Sequence, residues 1–585
     1  LELARTALDR ALAARPGAPG ALELRARLRL DAGDAAGAVA DYEAAAGAGG
    51  DPASRLPAHL AAALLCQDRL ADPGRARVHL DAVLVIQPSH ADALARLARL
   101  HQAEGRPEAA AELLRRLVAL PAPSPAEAAA QLLTLARLEA SLGDAAAAVA
   151  LTARVQALFP GHAEAIRLTV ELERERGDPR ALATALEAAA TAATDPSQRA
   201  DLRLEAAQLL GGPLRQRERS LEQLKAALAD DPGRDDARAL LALAYEDGAP
   251  ALAVDEHRRL LEHEPLRVES WAALYRLFDR LRAHDRAYVA ATILRWLGAP
   301  IPGPAAERLL AEGDRQALRS PSALTDEEFR LLRAPEDLGP LSELFGLAGG
   351  LLADVQRGGP AAPKESPRGD HPLRKLFTEM ASALGTGSDW ELLPATSGRM
   401  VVEASVHPMV YCSPDLAGRT TPREQRFLLG RLAARLRTGS GLGETLDEAT
   451  LGDLVAAAVR QFVPDWSACG LPSEEMVRQV GKHLPRRLRK ALEPVARAVA
   501  AGPEPDLAAW HAAASGTADR AGLVLCGDVP TAVALVVRGG PGNTPADGPP
   551  LLAAVWDNSR ALALLAFAAT EPHFTLRQKL RVAIA

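Results

Sequence analysis

The stretch ADALARLARLHQAEGRPEAAAELLRRLVALP, residues 91–121, decides the fold. Leu94, Leu97 and Ala98 recur at helical spacing before Gly105, and Ala110, Leu114 and Leu117 recur at that spacing after it. Apolar residues three and four apart mark one face of an amphipathic helix. The stretch therefore reads as helix, tight turn at Gly105-Arg106, helix, then a proline stop. A second copy follows, with Leu132, Leu135 and Ala136 before Gly143, and Ala148 and Val155 between Gly143 and Pro160.

Working outward, prolines punctuate the first half at Pro16, Pro52, Pro88, Pro125, Pro160, Pro196, Pro232, Pro265 and Pro300, with steps of 33 to 37 residues. Between them lie Gly33-Asp34, Asp72-Pro73, Gly105-Arg106, Gly143-Asp144, Gly177-Asp178, Gly212-Pro213, Gly248 and His284-Asp285. Small residues sit seven before the turn glycine (Ala26, Ala98, Ala136) and five after it (Ala38, Ala110, Ala148), where two helices must approach closely. A fixed period of this length is the signature of a stacked repeat array. The pattern resembles the tetratricopeptide repeat over residues 1–300, although the consensus Trp and Tyr of its first helix are mostly absent. The resemblance implies a mainly α fold: an α-solenoid whose first helices line a groove that takes an extended segment or helix of a partner protein. Six residues before the turn glycine stand Arg27, Arg99 and Arg137. Glu171 takes that place in the next unit, with Arg167 one turn earlier, and Cys66 takes it in the second unit. A partial arginine ladder suits an acidic peptide or a free C-terminal carboxylate, because guanidinium binds carboxylate through two parallel hydrogen bonds.

Composition agrees with a helical reading. The chain has 585 residues, 48% hydrophobic but only 3% aromatic, so its cores are built from Ala and Leu. At roughly 150 residues per domain the length holds about four domains, or fewer with a repeat array. Disorder throughout is excluded by the apolar content, and a β-sandwich or barrel by the shortage of aromatics. A net charge of −7 does not nominate nucleic acid, and the basic run Lys482–Lys490 reads as a solvated helix start. Cys66, Cys412, Cys469 and Cys526 are far apart and form no C-x-x-C pair, which argues against disulfides and zinc ribbons and fits a reducing, cytoplasmic setting. No apolar run is long enough to span a bilayer. The sequence opens at Leu1 inside a helical pattern, so an upstream leader stays open.

Residues 301–355 continue helical without the repeat spacing, with a capped start at Thr325-Asp-Glu-Glu328. Residues 356–372, rich in Gly, Pro and charge, read as a linker. Beyond it, 373–585 change texture towards a smaller, mostly helical α+β domain. Arg399–Val406 and Met409–Cys412 are strand candidates, and helices are expected from Pro422 to Arg437, at Leu451–Phe462, Glu474–Gly481 and Pro485–Ala501, and up to Cys526.

This order resembles the zinc metallopeptidases of the HtpX and CAAX-prenyl-protease type, in which a short sheet leads into an H-E-x-x-H helix and a later helix carries E-x-x-A-D. Here the first motif reads Arg431-Leu432-Ala433-Ala434-Arg435 and the second Ser515-Gly516-Thr517-Ala518-Asp519. Guanidinium has no lone pair for zinc, so Arg431 and Arg435 cannot ligate; Leu432 removes the general base and Ser515 the third ligand. The resemblance thus implies a pseudopeptidase with no metal, no cofactor and no catalytic residues. No G-x-x-x-x-G-K-[ST] or G-x-S-x-G occurs, and the run Gly439, Gly441, Gly443 has no preceding strand. His257 and His263 do not share a helix face. Two alternatives stay open at this stage: a hydrolase with a shifted metal site using His407, near Cys412, and a peptide-responsive sensor in which the second domain changes position.

Overall fold

A computed structural model describes residues 2–48, 51–301, 306–316, 319–361, 371–396, 399–539 and 548–584. Most of the expected linker, 362–370, lies outside them. The fold is mainly α-helical with three short strands, and it forms two compact units, Leu1–Ala237 and Arg238–Ala585.

The first unit is a solenoid of helix pairs: Pro19–Asp31 with Ala35–Gly47, Pro52–Asp68 with Pro73–Ile86, Ala91–Ala103 with Pro107–Val118, Pro125–Ser141 with Ala145–Leu158, Ala163–Arg176 with Pro179–Ala192, and Pro196–Gly211 with Arg217–Asp230. The Gly-Asp dipeptides make its turns. Gly33, Gly143 and Gly177 take the left-handed conformation that ends the first helix. The aspartate after each caps the second: Asp34 accepts from the Gly37 N–H, Asp144 from Ala147 and Asp178 from Arg180. In the second pair Ala71 (φ 50°) stands in for the glycine and Asp72 accepts from the Arg75 N–H at 3.0 Å. The Gly212-Pro213 signal works differently. Gly212 has φ −86°, and Arg215 (φ 54°) takes the left-handed position instead.

The prolines divide into two kinds. Pro88, Pro160 and Pro232 lie in turns after second helices, as expected. Pro52, Pro125 and Pro196 instead open the first helices, where the missing N–H costs nothing because it would have no intrahelical partner. Ala26, Ala98, Ala136, Ala38, Ala110 and Ala148 are at most 1% exposed, so the small residues do mark the helix contacts. One apolar cluster runs from Val39 to Leu172, continuous across successive pairs.

The second unit opens within helix Asp235–Tyr245 and includes Pro250–His263 and the pair Val268–Arg280/His284–Trp296. Trp271, a buried aromatic in this pair, donates from Nε1 to the Pro265 carbonyl at 2.8 Å. Thr325 and Glu328 form a reciprocal capping box on helix Asp326–Arg330. The sheet is three-stranded, β1 (Glu391–Pro394), β2 (Met400–Glu403) and β3 (Met409–Cys412), in the order β1-β3-β2. β1 pairs parallel to β3 and β2 antiparallel. The expected strand Arg399–Val406 is shorter than its Val content suggested, and β1 carries no β-branched residue to signal it.

Long-range polar contacts tie this unit together. Arg577, 1% exposed, makes two hydrogen bonds to Asp285, at 2.9 and 2.7 Å, and Asp285 also accepts from the Ile584 N–H at 3.1 Å. Asp337 accepts from the Ser342 and Thr517 hydroxyls at 2.7 and 2.8 Å, and Trp510 Nε1 donates to Ser342. These buried groups are matched donor to acceptor, which such burial requires.

Candidate functional site

In the first unit, Arg27, Arg99, Arg137 and Arg167 are all exposed on first helices, as is Glu171. Cys66 is not on that surface. It is fully buried between helices, which pushes its thiol up, so the position that reads as groove-lining in sequence is core here. Among the described residues Arg27 and Arg99 form no ion pair, whereas Arg137 pairs with Glu164 of the next first helix and Arg167 lies 3.9 Å from Glu171. Arg137 borders a pocket of about 410 Å³ between helices Pro125–Ser141 and Ala163–Arg176. Its floor is Ala126, Ala129, Ala130 and Leu133; Phe159 and His162 form the far wall. His162 is held there because its Nδ1 accepts the Ala165 N–H as a helix cap. Phe159 and His162 escape a reading based on turn glycines, because they sit in the connection between repeats.

In the second unit, helix Pro422–Thr438 packs along helix Leu507–Cys526, so the two stretches carrying Arg431–Arg435 and Ser515–Asp519 come together. Glycines set how close they come. A methyl group on Gly522 would lie 2.7 Å from the Phe427 carbonyl, and one on Gly430 would lie 2.9 Å from Leu525. At the crossing Arg431 Nε is 2.8 Å from Asp519 Oδ1, an ion pair without hydrogen-bond alignment. Arg560 donates to the other oxygen of Asp519 at 2.7 and 3.1 Å, and Arg435 pairs with Glu444. Burial, then the charge of Arg431, pushes Arg435 down to about 10, which still leaves it cationic at neutral pH. Leu432 is 1% exposed and Ser515 is buried. Three guanidiniums and two carboxylates therefore occupy this crossing, an arrangement that repels a metal cation rather than holding one.

No group of three or more His, Cys, Asp and Glu placed to hold a metal occurs among the described residues. His407 is exposed and faces Asp389 at 3.1 Å, while Cys412 is buried, which pushes its thiol up to about 12. The buried His257 lies beside Ser270, at 3.3 Å. No single described helix is long and apolar enough to cross a membrane.

No protein family matches the chain, and the search of curated proteins found no match. Among solved structures, the chain is similar to YrrB, a TPR protein with an unusual peptide-binding site, at 18% identity over 32% of this chain and 90% of that one, with a TM-score of 0.23. MamA aligns at 19% identity over 29% of this chain and 95% of its own, with a TM-score of 0.22. A tetratricopeptide repeat protein from Parabacteroides merdae aligns at 13% identity over 44% and 97%, also with a TM-score of 0.23. None of these scores reaches 0.5, and the solenoid assignment rests on the helix pairs themselves.

Proposed function

We propose that this chain is a non-catalytic protein-interaction scaffold whose repeat groove binds a peptide or helix of a partner, with preference for acidic segments or a C-terminal carboxylate. The observation that carries the reading is the set of exposed arginines on the first helices of four pairs, interrupted at the second pair by Cys66, with Arg137 at the rim of an apolar pocket. Arg27 and Arg99 stand ready for a carboxylate. Arg137 and Arg167 would exchange Glu164 and Glu171 for the ligand's acid, at small cost, since exposed ion pairs are worth only about 0–1 kcal/mol. Affinity would come from an apolar anchor in the pocket, with the arginines selecting charge. On the same reading residues 373–585 are an inactive, peptidase-like part of the scaffold. Support comes from the packing of the Arg431 helix against the Asp519 helix and from the guanidinium-rich crossing between them.

The test is binding of the full chain to arrayed acidic, neutral and basic decapeptides, with free or amidated C-termini. Acidic peptides should be retained, and Arg99→Glu combined with Arg137→Glu should reduce retention at least tenfold. Equal retention of basic and acidic peptides, or no effect of the double substitution, rejects the ladder. Stoichiometric zinc in the purified protein would reject the inactive-peptidase part alone.

A further inference from the structure

A second cavity, of about 400 Å³, lies on one face of the sheet in the second unit. Arg399, Val401 and Glu403 line it from β2 and its approach. Alternate residues of a strand share a face, and Tyr411 joins them because it stands opposite Val401 in the register. The other walls come from helix Pro340–Arg357, through Ala353, Gln356 and Arg357, and from Leu442, Thr445 and Leu446. The volume falls at the small end of the range of about 300–1,000 Å³ typical of small-molecule sites.

The charged and hydroxyl groups in this cavity can be accounted for one by one. Arg357 is fully engaged: it donates to Asp354 at 2.8 Å and to the Ala404 carbonyl at 2.8 Å, and its Nε lies 3.2 Å from Glu403. That pairing also neutralises Glu403. Thr445 donates its hydroxyl back to the Leu442 carbonyl at 3.2 Å. Burial and the nearby Glu403 carboxylate push the Tyr411 phenol up, so it keeps its proton at any ordinary pH. The one charge left over is Arg399, exposed at the mouth and without an ion pair among the described residues. Beneath it the surface is aliphatic: Ala353, Val401, Ala404, Leu442 and Leu446.

We propose that this cavity is a binding site for a carboxylate carried on a short aliphatic body, with Arg399 taking the acid and the Val401–Leu442 surface taking the tail. Guanidinium binds carboxylate bidentately, and the aliphatic floor rejects a ligand charged at both ends. Two sources share this chemistry: a free aliphatic acid, and the C-terminal residue of a peptide ending in an aliphatic side chain. The site is built from other residues than the repeat groove and the Arg431–Asp519 pair, so it stands or falls independently of the scaffold reading.

The experiment is calorimetric titration of the full chain with hexanoate, hexylamine and hexanol, and with the tripeptide Ala-Leu-Leu bearing a free or an amidated C-terminus. Hexanoate is expected to bind one per chain, with hexylamine at least tenfold weaker. Arg399→Ala should weaken hexanoate at least tenfold. Gln356→Trp, at an exposed position on the rim, should obstruct entry and weaken every probe that binds. Binding of the free-acid tripeptide but not its amide, lost in Arg399→Ala, assigns the site to a chain terminus; binding of hexanoate, lost in Arg399→Ala, with no such tripeptide binding assigns it to a free acid. The proposal is overturned if no probe binds, if hexylamine matches hexanoate, or if Arg399→Ala leaves hexanoate affinity unchanged while the variant keeps the wild-type circular dichroism.

Discussion

The two units are held together in different ways. In the first, one short device recurs: a left-handed residue, a capping aspartate and an alanine pair at the helix contact, all within a dozen residues of each other. In the second, the decisive contacts join residues far apart in sequence, such as Arg577 with Asp285 and Thr517 with Asp337. A repeat whose contacts are local distributes its stability as a sum over neighbours. A unit fastened by a few buried polar links concentrates it. Single substitutions should therefore be graded in the first unit and severe in the second.

The largest effect should come from Asp285→Ala. It leaves the Arg577 guanidinium buried without its carboxylate, a loss of about 3–5 kcal/mol. Urea denaturation would show a large fall in the midpoint of one transition. The double variant Asp285→Leu with Arg577→Met should recover most of the loss, since replacing both partners by apolar residues leaves no uncompensated charge. Failure of the double variant to recover would mean that the Ile584 N–H, which also depends on Asp285, matters more than the ion pair.

Acid should separate the units next. His573 is fully buried, and burial followed by the charge of Arg577 pushes its imidazole down to about 3. The folded state thus binds the neutral form. Its contribution is complete above the ordinary value of about 6.5 and is lost as pH falls from there towards 3, because the unfolded chain takes up the proton first. Between pH 7 and pH 5 the cost is about 2 kcal/mol. His573→Phe should shrink the pH 7 to pH 5 difference in urea stability by that amount, and an unchanged difference would place the acid sensitivity elsewhere.

The first unit should respond to overpacking. Ala136 is fully buried at a helix contact, and Ala136→Leu should cost about 1–3 kcal/mol. The same substitution at Ala26 or Ala98 should cost a similar amount, because each occupies the same place seven residues before the turn glycine. A scatter much wider than that range across the three sites would break the picture of interchangeable local units.

This contrast also explains what could be read from the residues alone. Gly143 and Asp144 signal a turn and a cap in two letters, and Ala136 and Ala148 signal the helix contact by their spacing, so the solenoid was legible. The exposed positions of Arg27, Arg99 and Arg137 followed from counting back from the turn. Cys66 broke that count because its pair has Ala71 where the others have glycine, which shifts the reference point from which positions are counted. In the second unit the Val-rich run marked β2 and β3, yet β1, Glu391-Leu-Leu-Pro394, has no strand signal of its own and forms because β3 offers it a parallel partner. The cavity beside the sheet was invisible for the same reason. Arg357, Arg399 and Tyr411 come from three separate elements, and nothing local announces that Arg357 is spoken for while Arg399 is not.

The smallest effect is the sharpest test, because it should be the same in both units. Ala71 (φ 50°) in the first and Arg282 (φ 55°) in the second each occupy the left-handed turn position that glycine fills elsewhere. A side chain there costs roughly 1–2 kcal/mol through contact of Cβ with the following carbonyl. Glycine removes that strain but adds back unfolded-chain entropy of about 0.4–1 kcal/mol. Ala71→Gly and Arg282→Gly should therefore each stabilise by about 0.5–1 kcal/mol, seen as a small rise in urea midpoint. The reverse change, Gly143→Ala at φ 87°, should destabilise by a similar margin. If Ala71→Gly stabilises while Arg282→Gly does not, the turn in the second unit is held by its tertiary surroundings rather than by its own backbone, and the division between local and long-range stabilisation extends down to single residues.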